Sequence, residues 1–157
     1  MTSSPGPRLT IELVPEPLWG KSLATTLPRP EWRRLRQFAL DRAGNACEVC
    51  ALAVAGGKHL VCRERWFYDD DSRLQLLTGV RIQCRDCDAV THIGRIDARA
   101  GRDAVRAAME HMARANAWTP AQVMAAVAAA KGEWVRRSAL AWTQDTGWYD
   151  RWRSTTL

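Results

Sequence analysis

"CRDCDAVTH", residues 84–92, sets two cysteines at the spacing of a metal knuckle and places an aspartate directly after the second. Its counterpart is "CEVC" at 47–50, with 33 residues between the two pairs. Two residues between thiolates let one tight turn offer both sulfurs to the same tetrahedral ion, and zinc accepts four thiolates without geometric strain. Cys47, Cys50, Cys84 and Cys87 are therefore expected to hold one zinc ion, whereas a redox dithiol would need only one of the pairs. Four sulfurs close the coordination sphere, so the expected ion is structural and does not activate water.

The surrounding chain is organised around these knuckles. Between them, "HLVCRERWFYD" (59–69) suits a strand through Val61, Trp66 and Tyr68, and "GVRIQC" (79–84) a second, short strand that leads into Cys84. The order from 47 to about 99 is knuckle, hairpin, knuckle, helix. Upstream, "PEWRRLRQFALDRAG" (30–44) puts Trp32, Leu35, Phe38 and Ala39 at helical spacing, with Gly44 as the C-cap. Arg33, Arg34, Arg36 and Arg42 make this helix, 30–43, basic; it suits DNA or RNA phosphates, or is simply a solvated face. Residues 1–28 carry five prolines and one apolar burst, "LTIELV", and read as an extended arm with one strand at most, wrapping the domain.

Downstream of Gly101, Val105, Ala108, Met109, Met112 and Ala113 form one helical stripe. Thr119, Pro120 and Gln122 then carry the signature of a capping box, opening a helix expected to reach about Trp142 with Gly132 as its weakest point.

Composition bounds the function only loosely. The 157 residues suit a single domain, and 23 Lys plus Arg against 17 Asp plus Glu give +6, which zinc on four thiolates would lower to +4. That charge permits nucleic-acid contact without requiring it. Eight tryptophans fill a small core; base stacking or an aromatic-walled pocket is the sharper reading. No run of 18 apolar residues and no signal-peptide pattern is present, so no membrane contact and a cytoplasmic location are expected, with cysteines for metal rather than disulfides. Cys62, outside the knuckles, reads as a buried apolar thiol rather than a nucleophile. His59 reads as exposed beside a glycine turn, and His111 as a partly buried histidine on the methionine-bearing helix.

With these elements placed, the chain resembles HNH endonucleases, the ββα-metal or His-Me finger family, in a four-cysteine subgroup with a tryptophan-rich helical extension. The stretches that carry the resemblance are "LTIELVP", "EWRRLRQFALDRAGNACEVC", "VCRERWFYDD", "LTGVRIQCRDCDAVTHIGR", "EHMARANAWTPAQ" and "EWVRRSALAWTQDTGWYD", nearly the whole sequence. It implies an α+β fold: an arm (1–28), a small ββα zinc-bound HNH-like core (29–99) and a helical C-terminal extension (100–157) packed on that core as one domain. It also implies a histidine general base, an asparagine and a histidine that hold a catalytic divalent ion. Those three positions fall on Arg63, about Gly79, and Asp88, and all three depart.

Arginine cannot serve as a base near neutrality, and glycine offers no ligand, whereas Asp88 suits a hard cation such as Mg2+. Nearby stand Glu64, the acidic run Asp69–Asp71, and His92. On a helix starting at the knuckle, Asp88 and His92 are i and i+4, within reach for the carboxylate to accept the imidazole N–H. Three functions are consistent with this pattern. The first is a degenerate, nuclease-dead HNH-like zinc protein that binds nucleic acid or protein. The second is a repurposed enzyme in which Arg63, Asp88 and His92 act on a small anionic molecule between tryptophan walls. The third is an active Mg-dependent endonuclease with a second divalent ion on Asp88, His92 and Glu64. Oligomeric state is not legible.

Overall fold

The computed structural model describes residues 6–156, and the fold is mixed α+β, with seven helices and a three-stranded sheet. Helix α1 (Leu23–Thr26) is followed by α2 (Arg29–Ala43), which opens with Pro30 in its first turn, where the missing N–H costs nothing. Leu35, Ala39 and Leu40 form its buried stripe, and Gly44 ends it in the left-handed conformation (φ 61°), as its position after the periodic run predicts.

Strands β1 (Val61–Asp69) and β2 (Leu74–Gln83) pair antiparallel from Val61 opposite Gln83 to Asp69 opposite Leu74. Asp69 closes their turn, its carboxylate accepting from the Asp71 and Ser72 amides and the Ser72 hydroxyl. Asp70 binds Arg136 and Arg137 instead, so these two members of the acidic run serve the scaffold. A bulge interrupts the ladder: Arg65 faces Gly79 while Trp66 faces Leu77, leaving Thr78 as the extra residue, its hydroxyl on the Arg65 carbonyl. Gly79 has φ +152°, a backbone conformation that strains any L side chain. The glycine at this position thus has a structural reason.

β2 is longer than expected. Its first residues, Leu74 to Leu76, pair parallel with β3 (Thr143–Asp145), giving sheet order β1-β2-β3. Three residues are too few to show a period in sequence.

After β2 come α3 (Arg85–Thr91) and α4 (Ile93–Arg99), separated by His92, whose φ −112° and ψ 41° leave the helical region. The arm crosses at this break. Glu12 donates its backbone N–H to the Thr91 carbonyl at 2.8 Å, and a Cβ on Gly94 would meet Leu13 Cδ2 at 3.1 Å, so glycine permits the close passage. No strand forms in the described part of the arm; residues 1–5 lie outside the described residues. The Asn116 amide replaces a strand partner by binding both the N–H and the carbonyl of Leu9.

Helix α5 (Gly101–Asn116) buries Ala108 and Met112. Helix α6 (Pro120–Ser138) has both bonds of the Thr119–Gln122 capping box. It passes Gly132 unbroken but stops at Ser138, not near Trp142, because the Trp142 indole folds back and donates to the Arg137 carbonyl at 2.9 Å. Helix α7 (Gly147–Thr155), inside the stretch expected to form the helical extension, buries Tyr149 and Trp152. One apolar cluster runs from Leu9 through Leu35, Ile82, Val90 and Met112 to Trp152, joining the arm, the sheet and the helical extension. No described helix is long and apolar enough to cross a membrane.

Candidate metal centre and adjoining cleft

The knuckles meet because Glu48, inside the first, pairs with the strand that feeds the second. Its N–H reaches the Ile82 carbonyl at 2.9 Å, and its carboxylate accepts from the Ile82 amide at 2.7 Å and from Arg42. Two residues later β2 delivers Cys84, which caps α3, and Cys87 follows in the first turn. The amides of Cys50 and Cys87 point at the sulfurs of Cys47 and Cys84, each at 3.5 Å.

All four sulfurs lie within 4.8 Å of one another, with Cys50 and Cys84 at 3.6 Å. A Zn–S bond of about 2.3 Å puts the edges of a regular S4 tetrahedron at about 3.8 Å, so the donor set fits one ion of that size. Cys47, Cys84 and Cys87 are buried and Cys50 is the least covered. Without a cation the sulfurs cannot all ionise. The hydrogen bond from Cys87 holds Cys47 low, at about 4, while burial lifts Cys84 to about 11 and the neighbouring Cys47 sulfur pushes Cys87 up with it. A metal ion resolves this frustration by replacing protons.

His111 of α5, expected to be partly buried, has a partner the sequence did not supply: its Nε2 lies 3.1 Å from the Cys87 sulfur. It ties α5 to the centre, and only the packing of α5 on α3 reveals it. His59 is exposed, and its Nδ1 lies 3.0 Å from Arg85. Cys62 is buried, which pushes its thiol up to about 12 and leaves it a poor nucleophile.

The remaining candidates are arranged differently from a catalytic set. Arg63 and Asp88 form a bidentate ion pair, Nε to Oδ1 and Nη2 to Oδ2, the latter at 2.8 Å. Glu64 points to the arm, its Oε1 accepting from the Leu23 amide at 2.6 Å and capping α1. His92 Nε2 is 3.9 Å from Asp88 Oδ1, too far for the hydrogen bond the i, i+4 spacing suggests, and that nitrogen is buried without a partner. Among the described residues the cysteines are the only trio or larger set of His, Cys, Asp or Glu whose ligand atoms converge. Asp88, His92 and Glu64 are not brought together for a second cation.

Arg63, Glu64 and His92 instead line a cleft of about 780 Å³ between the arm, β1, α4 and α6; Asp88 does not line it. Glu12 lies in the same cleft and was missed, although a single carboxylate inside "LTIELV" was a usable signal. A hydrogen-bonded series leads to it: Gln144 to Gln75 (2.8 Å), Gln75 to Tyr68 (3.0 Å), Tyr68 to Glu12 (3.1 Å). Burial raises the Glu12 carboxyl to about 7, helped by Glu64 and opposed by the Tyr68 hydroxyl and Arg63. Burial lowers His92 to about 4, helped by the Arg63 charge and opposed by Asp88.

These shifts oppose each other in their effect on stability. The folded state holds the Glu12 proton more tightly than the unfolded state, so stability from this group falls as pH rises from 4.5 to about 7. It resists protonating His92, so stability from that group falls as pH drops from 6.5 to about 4. Urea unfolding across pH should therefore show Glu12→Gln gaining on the parent between pH 4.5 and 7, by roughly 1–3 kcal/mol. His92→Asn should gain on it as pH drops from 6.5 to 4. Comparing variant with parent cancels the metal's own pH dependence, and parallel curves would refute both assignments.

Compared with models of known protein families, with curated proteins and with solved structures, the chain has no match in any of the three.

Proposed function

We propose that this chain is a zinc-stapled, HNH-like domain that has lost nuclease chemistry and works by binding. The Arg63–Asp88 fork carries the reading. In the resembling nucleases these two positions supply the general base and a metal ligand; here each satisfies the other, a guanidinium cannot take a proton from water, and both carboxylate oxygens are occupied. Glu64 is committed to capping α1, and the Gly79 position is a bulge that favours glycine. Four thiolates leave the zinc no open position, which makes its role structural.

The binding surface is better sought in the cleft than on α2. Arg36 donates to the Leu60 carbonyl, Arg42 to Glu48 and the Val80 carbonyl, and Arg34 stacks over Trp152 at 5.6 Å, so most of the basic residues of that helix serve the fold. This favours a small ligand over a nucleic-acid duplex. Incubation of supercoiled plasmid with the zinc-loaded protein and Mg2+ or Mn2+ tests the loss of nuclease chemistry. No nicking is expected; nicking that Asp88→Ala or His92→Ala abolishes would overturn the reading.

A further inference from the structure

The cleft beside Arg63 combines two chemistries. Trp19, Trp66 and Trp134 stand in its wall, and the indole N–H groups of Trp19 and Trp134 both donate to the Val14 carbonyl, at 2.8 and 3.1 Å. With that donor satisfied, these two indoles offer apolar ring surface and no unfilled hydrogen bond. Lys21, Arg95, Arg99 and Lys131 also line the cleft. Of these four, only Lys131 has a carboxylate within ion-pair distance among the described residues, Asp97 at 3.6 Å.

The acidic groups of the cleft do little to balance them. Glu64 is turned onto the α1 amides, Glu12 receives the Tyr68 hydroxyl, and Arg63 is matched by Asp88 outside the cleft. The low-dielectric wall concentrates the remaining positive field, which raises affinity for an anion with an apolar body. About 780 Å³ is the size of a small-molecule site.

We propose that the cleft binds a small aromatic anion, its ring among Trp66 and Trp134 and its acidic group at Lys21, Arg95, Arg99 and Lys131. This deepens the binding reading by naming a ligand class, and the plasmid assay and the ligand titration fail separately. Stacking a planar ring on indole removes apolar surface of both from water, and the acidic group meets cations that have few internal partners. An aromatic carboxylate and a nucleoside monophosphate share this chemistry.

Isothermal titration of the full-length, zinc-loaded protein with 2-naphthoate and with adenosine monophosphate tests the proposal, each against its neutral counterpart, 2-naphthalenemethanol and adenosine. At least one anion is expected to bind tenfold or more tightly than its neutral counterpart, and which one binds separates the two sources. Arg95→Glu/Arg99→Glu reverses exposed charges on α4 and should weaken that anion at least tenfold, with circular dichroism unchanged. Trp134→Leu should weaken the anion and its neutral counterpart alike. Absence of binding by both anions at millimolar concentration, equal binding of anion and neutral compound, or binding untouched by charge reversal would each overturn it.

Discussion

Stripping zinc from protein loaded at the four cysteines, which converge closely enough to hold one ion, is expected to unfold the chain rather than to silence a site on an intact fold. The centre joins the loop after α2, the end of β2, the start of α3 and, through His111, the face of α5. Structural zinc in model peptides contributes about 10–16 kcal/mol at neutral pH, as much as the whole stability of a typical domain, about 5–15 kcal/mol. Cys87→Ser should therefore yield a protein with less than one zinc per chain and no cooperative thermal transition. Cys62→Ser, outside the sulfur set, should keep the metal stoichiometry. In the metal-free cluster Cys84 and Cys87 hold protons at neutral pH, so binding releases them and affinity must weaken as pH falls. Zinc content by atomic absorption and melting followed by circular dichroism provide the check; a chelated chain that melts within a few degrees of the loaded one would sink this account.

What the sequence disclosed, and what it did not, follows from how local each signal is. The knuckles, the Gly44 cap and the Thr119 capping box are written in residues a few positions apart, and each appears where the spacing places it; the hairpin forms too, with a longer second strand than the spacing shows. The end of α6 is not legible in the sequence because its stop involves a contact from another element: Trp142 turns back onto Arg137, and its ring meets Tyr68 edge-on at 5.7 Å. β3 needs its partner in β2 to exist at all. In the site, Arg63 and Asp88 are 25 residues apart, and only the register of β1 against β2 and the start of α3 brings them into contact. Read singly, each looked like the loss of a catalytic group; together they are complementary. The same limit hid Glu12, whose carboxyl is raised first by its burial among other elements and then by Glu64, against the Tyr68 hydroxyl.

Breaking the Arg63–Asp88 pair should be costly and asymmetric. Both side chains are about one-fifth exposed (20% and 21%), so removal of a partner should cost roughly 1–3 kcal/mol, below the about 3–5 kcal/mol of a fully buried pair. Asp88→Ala leaves the Arg63 guanidinium without its counter-charge beside Arg81, across the ladder. Arg63→Ala leaves Asp88 in the first turn of α3, where the helix N-terminus favours a carboxylate, so this variant should be the milder. Replacing both with apolar residues, Arg63→Met with Asp88→Leu, should recover most of the loss, because it removes the desolvated charges together. His92 reports the same geometry independently. Arg63 pushes its imidazole down and Asp88 pushes it up, so in NMR titrations Arg63→Ala should raise the His92 midpoint above about 4 and Asp88→Ala should lower it. Shifts of the same sign, or equal costs that simply add in the double variant, would mean that the two residues do not act as a pair. The positive charge of Arg63 would then be free to face the cleft that it lines.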